Sequence, residues 1–190
     1  MSPRLWFGVM DPEFRLETAR LRLRPYRTDD LDDLHAMFSD PEHMRWYPAP
    51  FTREESRAWL QRQRARYGER GFALLIVEDR ETGEFLGTAG PAVMLVQGVE
   101  HVEIGWHTKP GRKGEGIAPE AGAAARDWAF ANLDVDHLIS LVRPENSGSN
   151  RVAQKLGMHV DREVDHKGMR HFVYRIDRIS WEDRVEGTTS

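Results

Sequence analysis

Strand-period and helix-period segments interleave along the whole 190-residue chain, which restricts it to an α/β or α+β layer structure. Residues 20–25 alternate Leu21 and Leu23 against Arg22 and Arg24, the period of two of a half-buried strand. Thr28 is then the expected N-cap of a helix whose stripe is Leu31, Leu34 and Phe38, and Asp40-Pro41 ends it. Thr52 and Glu55 match a capping box, so a second helix starts there and stops at Gly68 and Gly71. Strands are expected at residues 72–78 and 85–90, joined by a turn at 79–84 with Gly83 supplying a positive φ, and again at 101–108. A helix of about 15 residues follows, with Ile117, Ala121, Ala124 and Trp128 at helical spacing. A strand at 137–142, a short helix at 150–156 and a strand pair around Lys167-Gly168 complete the order β α α β β β α β α β β.

No linker or repeat divides the chain, and its length suits one domain with a sizeable core. Residues 1–14 read as an N-terminal extension, with Met10 an alternative start; 15–177 form the domain and 178–190 a frayed polar tail. No apolar run approaches the roughly 20 residues of a bilayer helix, and the opening residues lack a signal-peptide cleavage site. A cytoplasmic location is the expectation. The chain has no cysteine, which removes disulfides, thiolate metal sites and a cysteine nucleophile. A net charge of −4 argues against a general nucleic-acid binder. Only four of the 27 basic residues are lysines, at 109, 113, 155 and 167, and two of them fall in one short loop.

That loop, KPGRKGEGIA at 109–118, is the most informative stretch. Glycines at 111, 114 and 116 allow consecutive backbone N–H groups to converge, a helix begins directly afterwards, and cations stand beside it. It matches neither a Walker A loop, for want of a Lys-Ser/Thr pair, nor G-x-G-x-x-G, whose third position holds Pro119. Lys113-Gly114-Glu115-Gly116-Ile117-Ala118 does satisfy [Gln/Arg/Lys]-x-x-Gly-x-[Gly/Ala], and the residues alone leave open a phosphate cradle or a solvated connector. The second segment, RPENSGSNRVAQKLG at 143–157, is a polar turn and short helix in which Asn146, Ser147 and Ser149 can cap the helix or face a ligand.

These two segments together resemble the acetyl-CoA-binding core of the GNAT superfamily of N-acetyltransferases. The opening ETARLRLRPYRTDD and SDPEHMRWYPAPFTREESRAWL resemble the branch that includes ribosomal-protein N-terminal acetyltransferases, and the match runs from about Leu16 to Ile176. The resemblance implies a mixed, splayed central sheet flanked by helices, with acetyl-CoA lodged between the strands at 101–108 and 137–142. It implies that backbone groups of Ile104, Gly105 and Trp106 pair with pantetheine. It further implies that Lys113, Gly114, Glu115, Gly116, Ile117 and Ala118 hold the pyrophosphate and that Asn146 contacts pantetheine or the thioester.

Without cysteine, an acetyl-cysteine intermediate is impossible, so an amine must attack the thioester directly in a ternary complex. Glu103 is the candidate base, on a strand otherwise poor in charge. The family's frequent acid, a tyrosine before Lys-Leu-Gly, is replaced by Ala153; the resemblance makes Ser149 the nearest substitute, with water as the fallback, and helix capping is the other reading of that serine. Trp46, Tyr47 and Phe51 are candidates for the acceptor mouth, and Arg151 and Lys155 for the CoA 3′-phosphate. His101, Glu103 and His107 share strand parity, yet surface histidines are the better reading than a metal site, and no metal is expected. The chain therefore reads as an acetyl-CoA-dependent N-acetyltransferase acting on a small-molecule amine or peptide N-terminus. Its other reading is a non-catalytic acyl-CoA sensor of the same fold. Neither nucleic acid nor membrane is an expected partner; exposed sheet edges permit a homodimer.

Overall fold

The computed structural model describes residues 10–187, with side chains to residue 183. One eight-stranded sheet runs β1 (Leu16–Glu17), β2 (Leu21–Arg24), β3 (Leu75–Asp79), β4 (Phe85–Val96), β5 (Val99–Thr108), β6 (His137–Val142), β8 (Met169–Asp177), β7 (His159–His166). Every neighbouring pair is antiparallel except β5–β6, which is parallel and registered at the single pair Glu103↔Ile139. A parallel pair that short means that two halves of the sheet separate beyond Glu103. The strand expected at 85–90 runs on to Val96 as one strand, β4, paired to β5 from Gly87↔Thr108 to Val96↔Val99.

The helices are α1 (Leu31–Phe38), α2 (Pro41–Met44), α3 (Arg53–Glu69), α4 (Ile117–Asn132), α5 (Ser147–Lys155) and α6 (Arg178–Gly187). Helix α3 begins where its capping box places it: Thr52 accepts the Glu55 N–H, and Glu55 returns the bond to the Thr52 N–H at 2.7 Å. Thr28 does not cap α1. A 3-10 turn over Thr28–Asp30 precedes that helix, and Asp30 accepts the Arg27 N–H at 2.6 Å because its carboxylate is also held by Arg24. Arg24 lies between Asp30 and Glu78, both at 2.6 Å, in a buried ionic triad that ties β2, β3 and the α1 turn. The α4 face turned to the sheet is Ile117, Ala121, Ala125 and Ala129, an i, i+4 series whose small side chains let the helix approach closely.

Residues 178–187, expected as part of a frayed tail, form α6. Its Trp181 stacks on Phe130 at 5.1 Å and donates to Asp127 at 2.7 Å, while Arg178 donates to the Phe130, Leu133 and Val135 carbonyls. Those carbonyls lie at and just beyond the α4 C-terminus, where a guanidinium satisfies acceptors that the helix leaves open. Met10 is buried and donates its N–H to the Tyr67 carbonyl; residues 1–9 of the expected extension lie outside the described residues. Among the described residues no helix is long and apolar enough to cross a membrane.

Candidate active site

The β5–β6 parting leaves two backbone groups without strand partners, and two side chains satisfy them. The Ser140 hydroxyl donates to the Ile104 carbonyl at 2.7 Å, and the Glu103 carboxylate accepts the Leu141 N–H at 3.0 Å. Ser140 is buried and Glu103 half-buried, so the pair props the gap from inside the sheet. The sequence offered no sign of Ser140, since its partner is fixed by the register of a non-adjacent strand. Burial raises the Glu103 pKa above the ordinary 4.5; the Leu141 N–H, Lys167 and Arg66 oppose the shift without cancelling it.

Alternation along β5 decides which backbone faces the gap. The Lys109 N–H donates to Leu86 of β4, and the Ile104 carbonyl faces β6, so the odd residues bond to β4 and the even ones face the parting. Of the expected pantetheine contacts, Ile104 thus has its carbonyl already engaged and Gly105 is turned toward β4. Trp106 presents N–H and C=O beyond the last β5–β6 pair.

A cleft of about 400 Å³ opens beside Trp106, His107 and Thr108, walled by the α4 N-terminus, the α5 N-terminus and the residues after α2. Gly114, Gly116, Ile117, Ala118, Lys113 and Asn146 all line it, as do Ser149, Trp46 and Tyr47. Gly116, the α4 N-cap, has φ +81°, which a side chain tolerates poorly, and no side chain caps the helix there. The α4 amides are therefore open to an anion, with the helix dipole behind them. Lys113, Arg151 and Lys155 also line the cleft, and none has an ion-pair partner among the described residues. Three unpaired cations and an uncapped helix N-terminus fit a ligand with several phosphates.

Some expected contributors lie elsewhere. Glu115 turns its side chain to Arg112 at 3.0 Å and gives its carbonyl to Arg20. Lys109 pairs with Glu84 at 3.0 Å and does not line the cleft. Phe51 does not line it either: it packs on Phe38 at 5.3 Å and on Trp59, filling the layer between α1 and α3. Asn146 caps α5, accepting the Ser149 N–H at 3.1 Å, while no described residue engages the Ser149 hydroxyl. Asn150, which the sequence reading passed over, holds the turn in shape: its amide donates to the carbonyls of Arg143, Pro144 and Asn146.

On the same face as Glu103, the Tyr47 hydroxyl lies 2.8 Å from His107 Nε2, and His107 Nδ1 lies 3.0 Å from the Thr88 hydroxyl. Burial, then His43, pushes the His107 pKa down to about 3; burial, then Lys113, pushes His43 down to about 4. Both imidazoles are neutral near pH 7. His101 and His137 contact each other at 3.1 Å, and among the described residues no group of three or more His, Asp or Glu gathers as a metal site would need.

This architecture is matched elsewhere. The GNAT acetyltransferase domain model matches residues 20–159. The uncharacterised Bacillus subtilis protein YkkB is 32% identical over 156 residues, 82% of this chain and 91% of that one. The Escherichia coli spermidine N(1)-acetyltransferase is 27% identical over 161 residues, 82% of this chain and 81% of that one. An acetyltransferase from Agrobacterium tumefaciens superposes with a TM-score of 0.76 at 29% identity, covering 91% of this chain and 97% of its own. Structures of ribosomal-protein acetyltransferases share the fold at lower identity. With the family model spanning most of the domain, and an open sheet parted beside a cleft lined by cations, the chain belongs to the GNAT family and is an acetyl-CoA-dependent acetyltransferase.

Proposed function

We propose that the chain transfers the acetyl group directly to a primary amine in a ternary complex, with Glu103 as general base, and that the acceptor is an amine with negative charge close by, such as an acidic peptide N-terminus. The observation that carries this reading is the placement of Glu103 at the β5–β6 parting, with a raised pKa and Arg66 and Lys167 near its carboxylate. A carboxylate of ordinary pKa is a weak base at neutral pH; a raised one takes an amine proton more readily. One of its oxygens accepts the Leu141 N–H, which fixes the other.

The acetyl thioester supplies the electrophile. Lys113, Arg151, Lys155 and the α4 amides hold the phosphates, and the Trp106 backbone holds the arm that leads to the parting. With both substrates so held, orientation removes much of the barrier. The absence of cysteine leaves no thiol to carry the acetyl group, so the amine itself attacks.

The charge beside Glu103 favours one acceptor class. Arg66 has no ion-pair partner among the described residues, and its charge and that of Lys167, in the β7–β8 turn, both favour the ionised Glu103 carboxylate. Two cations there repel a polyamine and attract an acceptor whose amine stands next to carboxylates. The test incubates the protein and acetyl-CoA with a peptide bearing an acidic N-terminal segment, its basic counterpart, and spermidine, and reads acetylated product by mass spectrometry. Acetylation of the acidic peptide alone supports the reading, and preference for spermidine contradicts it.

A further inference from the structure

The peptide that joins Glu115 to Gly116 can stand in two orientations. Flipping that plane changes only the Glu115 ψ and the Gly116 φ, and glycine accepts either sign of φ. One orientation turns the Gly116 N–H toward the cleft, where it attracts an anion. The other turns the Glu115 carbonyl there, with its partial negative charge facing the phosphates. The loop needs something to hold the first.

Arg20 holds it. Its Nη1 donates to the Glu115 carbonyl at 3.2 Å. Gly114, Gly116, Ile117 and Ala118 line the cleft, whereas Arg20, Glu115 and Glu120 stand outside it, so the carbonyl is drawn to the outer side of the loop. A trans peptide sets its C=O and N–H on opposite sides. The Gly116 N–H therefore points inward, and among the described residues no backbone carbonyl outside the helices and strands accepts it.

The guanidinium is itself fixed by Glu120, in the first turn of α4. Arg20 Nε and Nη2 donate to Glu120 Oε2 at 2.8 and 2.6 Å. The Thr18 hydroxyl and the Arg20 N–H donate to Glu120 Oε1 at 2.6 and 3.2 Å. Both residues sit in the β1–β2 turn, so that turn is clamped onto the helix whose amides face the cleft. A Cβ built on Gly116 would come within 3.3 Å of Arg20 Nη2, which places the guanidinium directly against the residue it orients. An exposed ion pair adds little to stability. Its consequence here is an orientation.

We infer that Arg20 is a positioning residue for the cofactor, locking the Glu115–Gly116 peptide from outside the cleft so that its N–H faces the diphosphate. The inference rests on the reading that the α4 amides hold the phosphates. The planar fork is what the task requires: two of its N–H groups are spent on Glu120 and a third reaches the carbonyl. Lysine carries the same charge on a single point and cannot reproduce that span.

The test compares wild type, Arg20→Ala and Arg20→Lys. Titration calorimetry reads the Kd for CoA, and NMR titration reads the Kd for pantetheine, the same arm without phosphates. In Arg20→Ala the ratio of the pantetheine Kd to the CoA Kd is expected to fall about tenfold, the size of one hydrogen bond to a charged group. Arg20→Lys should resemble Arg20→Ala. The Gly116 amide proton should move downfield on CoA binding in wild type and far less in Arg20→Ala. A wild-type ratio in Arg20→Ala overturns the inference. An equal loss for both ligands also overturns it, because that is a general structural effect. A wild-type ratio in Arg20→Lys does the same, since charge alone would then suffice. Failure of the phosphate reading looks different: wild type itself would bind CoA no more tightly than pantetheine, and the inference would fall with it.

Discussion

The Glu103 carboxylate accepts the Leu141 N–H at 3.0 Å across the opening between β5 and β6. In an unbroken parallel ladder that N–H would be bonded to the backbone of β5; here a side chain takes the place of the strand. Ser140 does the reciprocal service for the Ile104 carbonyl. The parting of the sheet is therefore built in by two side chains, one of which is the proposed base, and structure and chemistry share a residue.

Ser140→Ala leaves the buried Ile104 carbonyl without this partner. The expected loss is about 1–3 kcal/mol of stability, the cost of stranding a buried acceptor. Urea denaturation measures it, with the denaturant slope unchanged if the fold is kept.

Arg151 and Lys155 stand exposed on α5 beside the cleft and have no ion-pair partners among the described residues. Replacing both by Ala is expected to weaken CoA binding about tenfold or more by titration calorimetry, each cation contributing about 1 kcal/mol at an exposed site. The dependence of affinity on ionic strength should flatten in the double variant, because screening acts on those charges. Affinity for dephospho-CoA should change less than affinity for CoA if they hold the 3′-phosphate.

Arg66→Glu and Lys167→Glu reverse the charges near Glu103. The expected effect is a rise in KM for an acidic peptide and a fall for spermidine, with CoA affinity unaffected, since neither residue lines the cleft proposed to hold CoA. Steady-state kinetics on both acceptors reads it. Equal effects on the two acceptors would remove charge from the basis of selection.

Local signals carried through from sequence to structure wherever the partner lay within a few residues. The Thr52–Glu55 capping box, Gly83 in its turn with φ +74°, and the Lys167-Gly168 turn with both φ values positive all depend on near neighbours. The glycine loop of 109–118 was legible for the same reason, and it lines the cleft at Gly114 and Gly116. Ser140, Asn150 and the Thr88–His107–Tyr47 series were not, because strand register and helix packing bring their partners from distant segments. Helix α6 was missed because its polar composition hides what anchors it, the Trp181 ring on Phe130 and the Arg178 guanidinium on carbonyls at the end of α4. Phe51 shows the converse: an aromatic near a predicted mouth is drawn into the core when Phe38 and Trp59 offer it a face.

The base assignment turns on one experiment, the pH dependence of acetyl transfer by wild type and Glu103→Gln. Glutamine retains an oxygen that can accept the Leu141 N–H, so the substitution removes the base while sparing the sheet. Because burial raises the Glu103 pKa, its ionisation costs stability in the folded state. That cost is absent below the unfolded pKa and grows as pH rises through the folded one, so the variant should be at least as stable as wild type at pH 7. In wild type the rate should fall as pH drops through that raised pKa, above the ordinary 4.5, because a protonated carboxyl accepts no proton. The account predicts that Glu103→Gln lowers kcat by about 10²-fold or more and abolishes this acidic limb. A folded Glu103→Gln protein with the wild-type rate and the same acidic limb would contradict it.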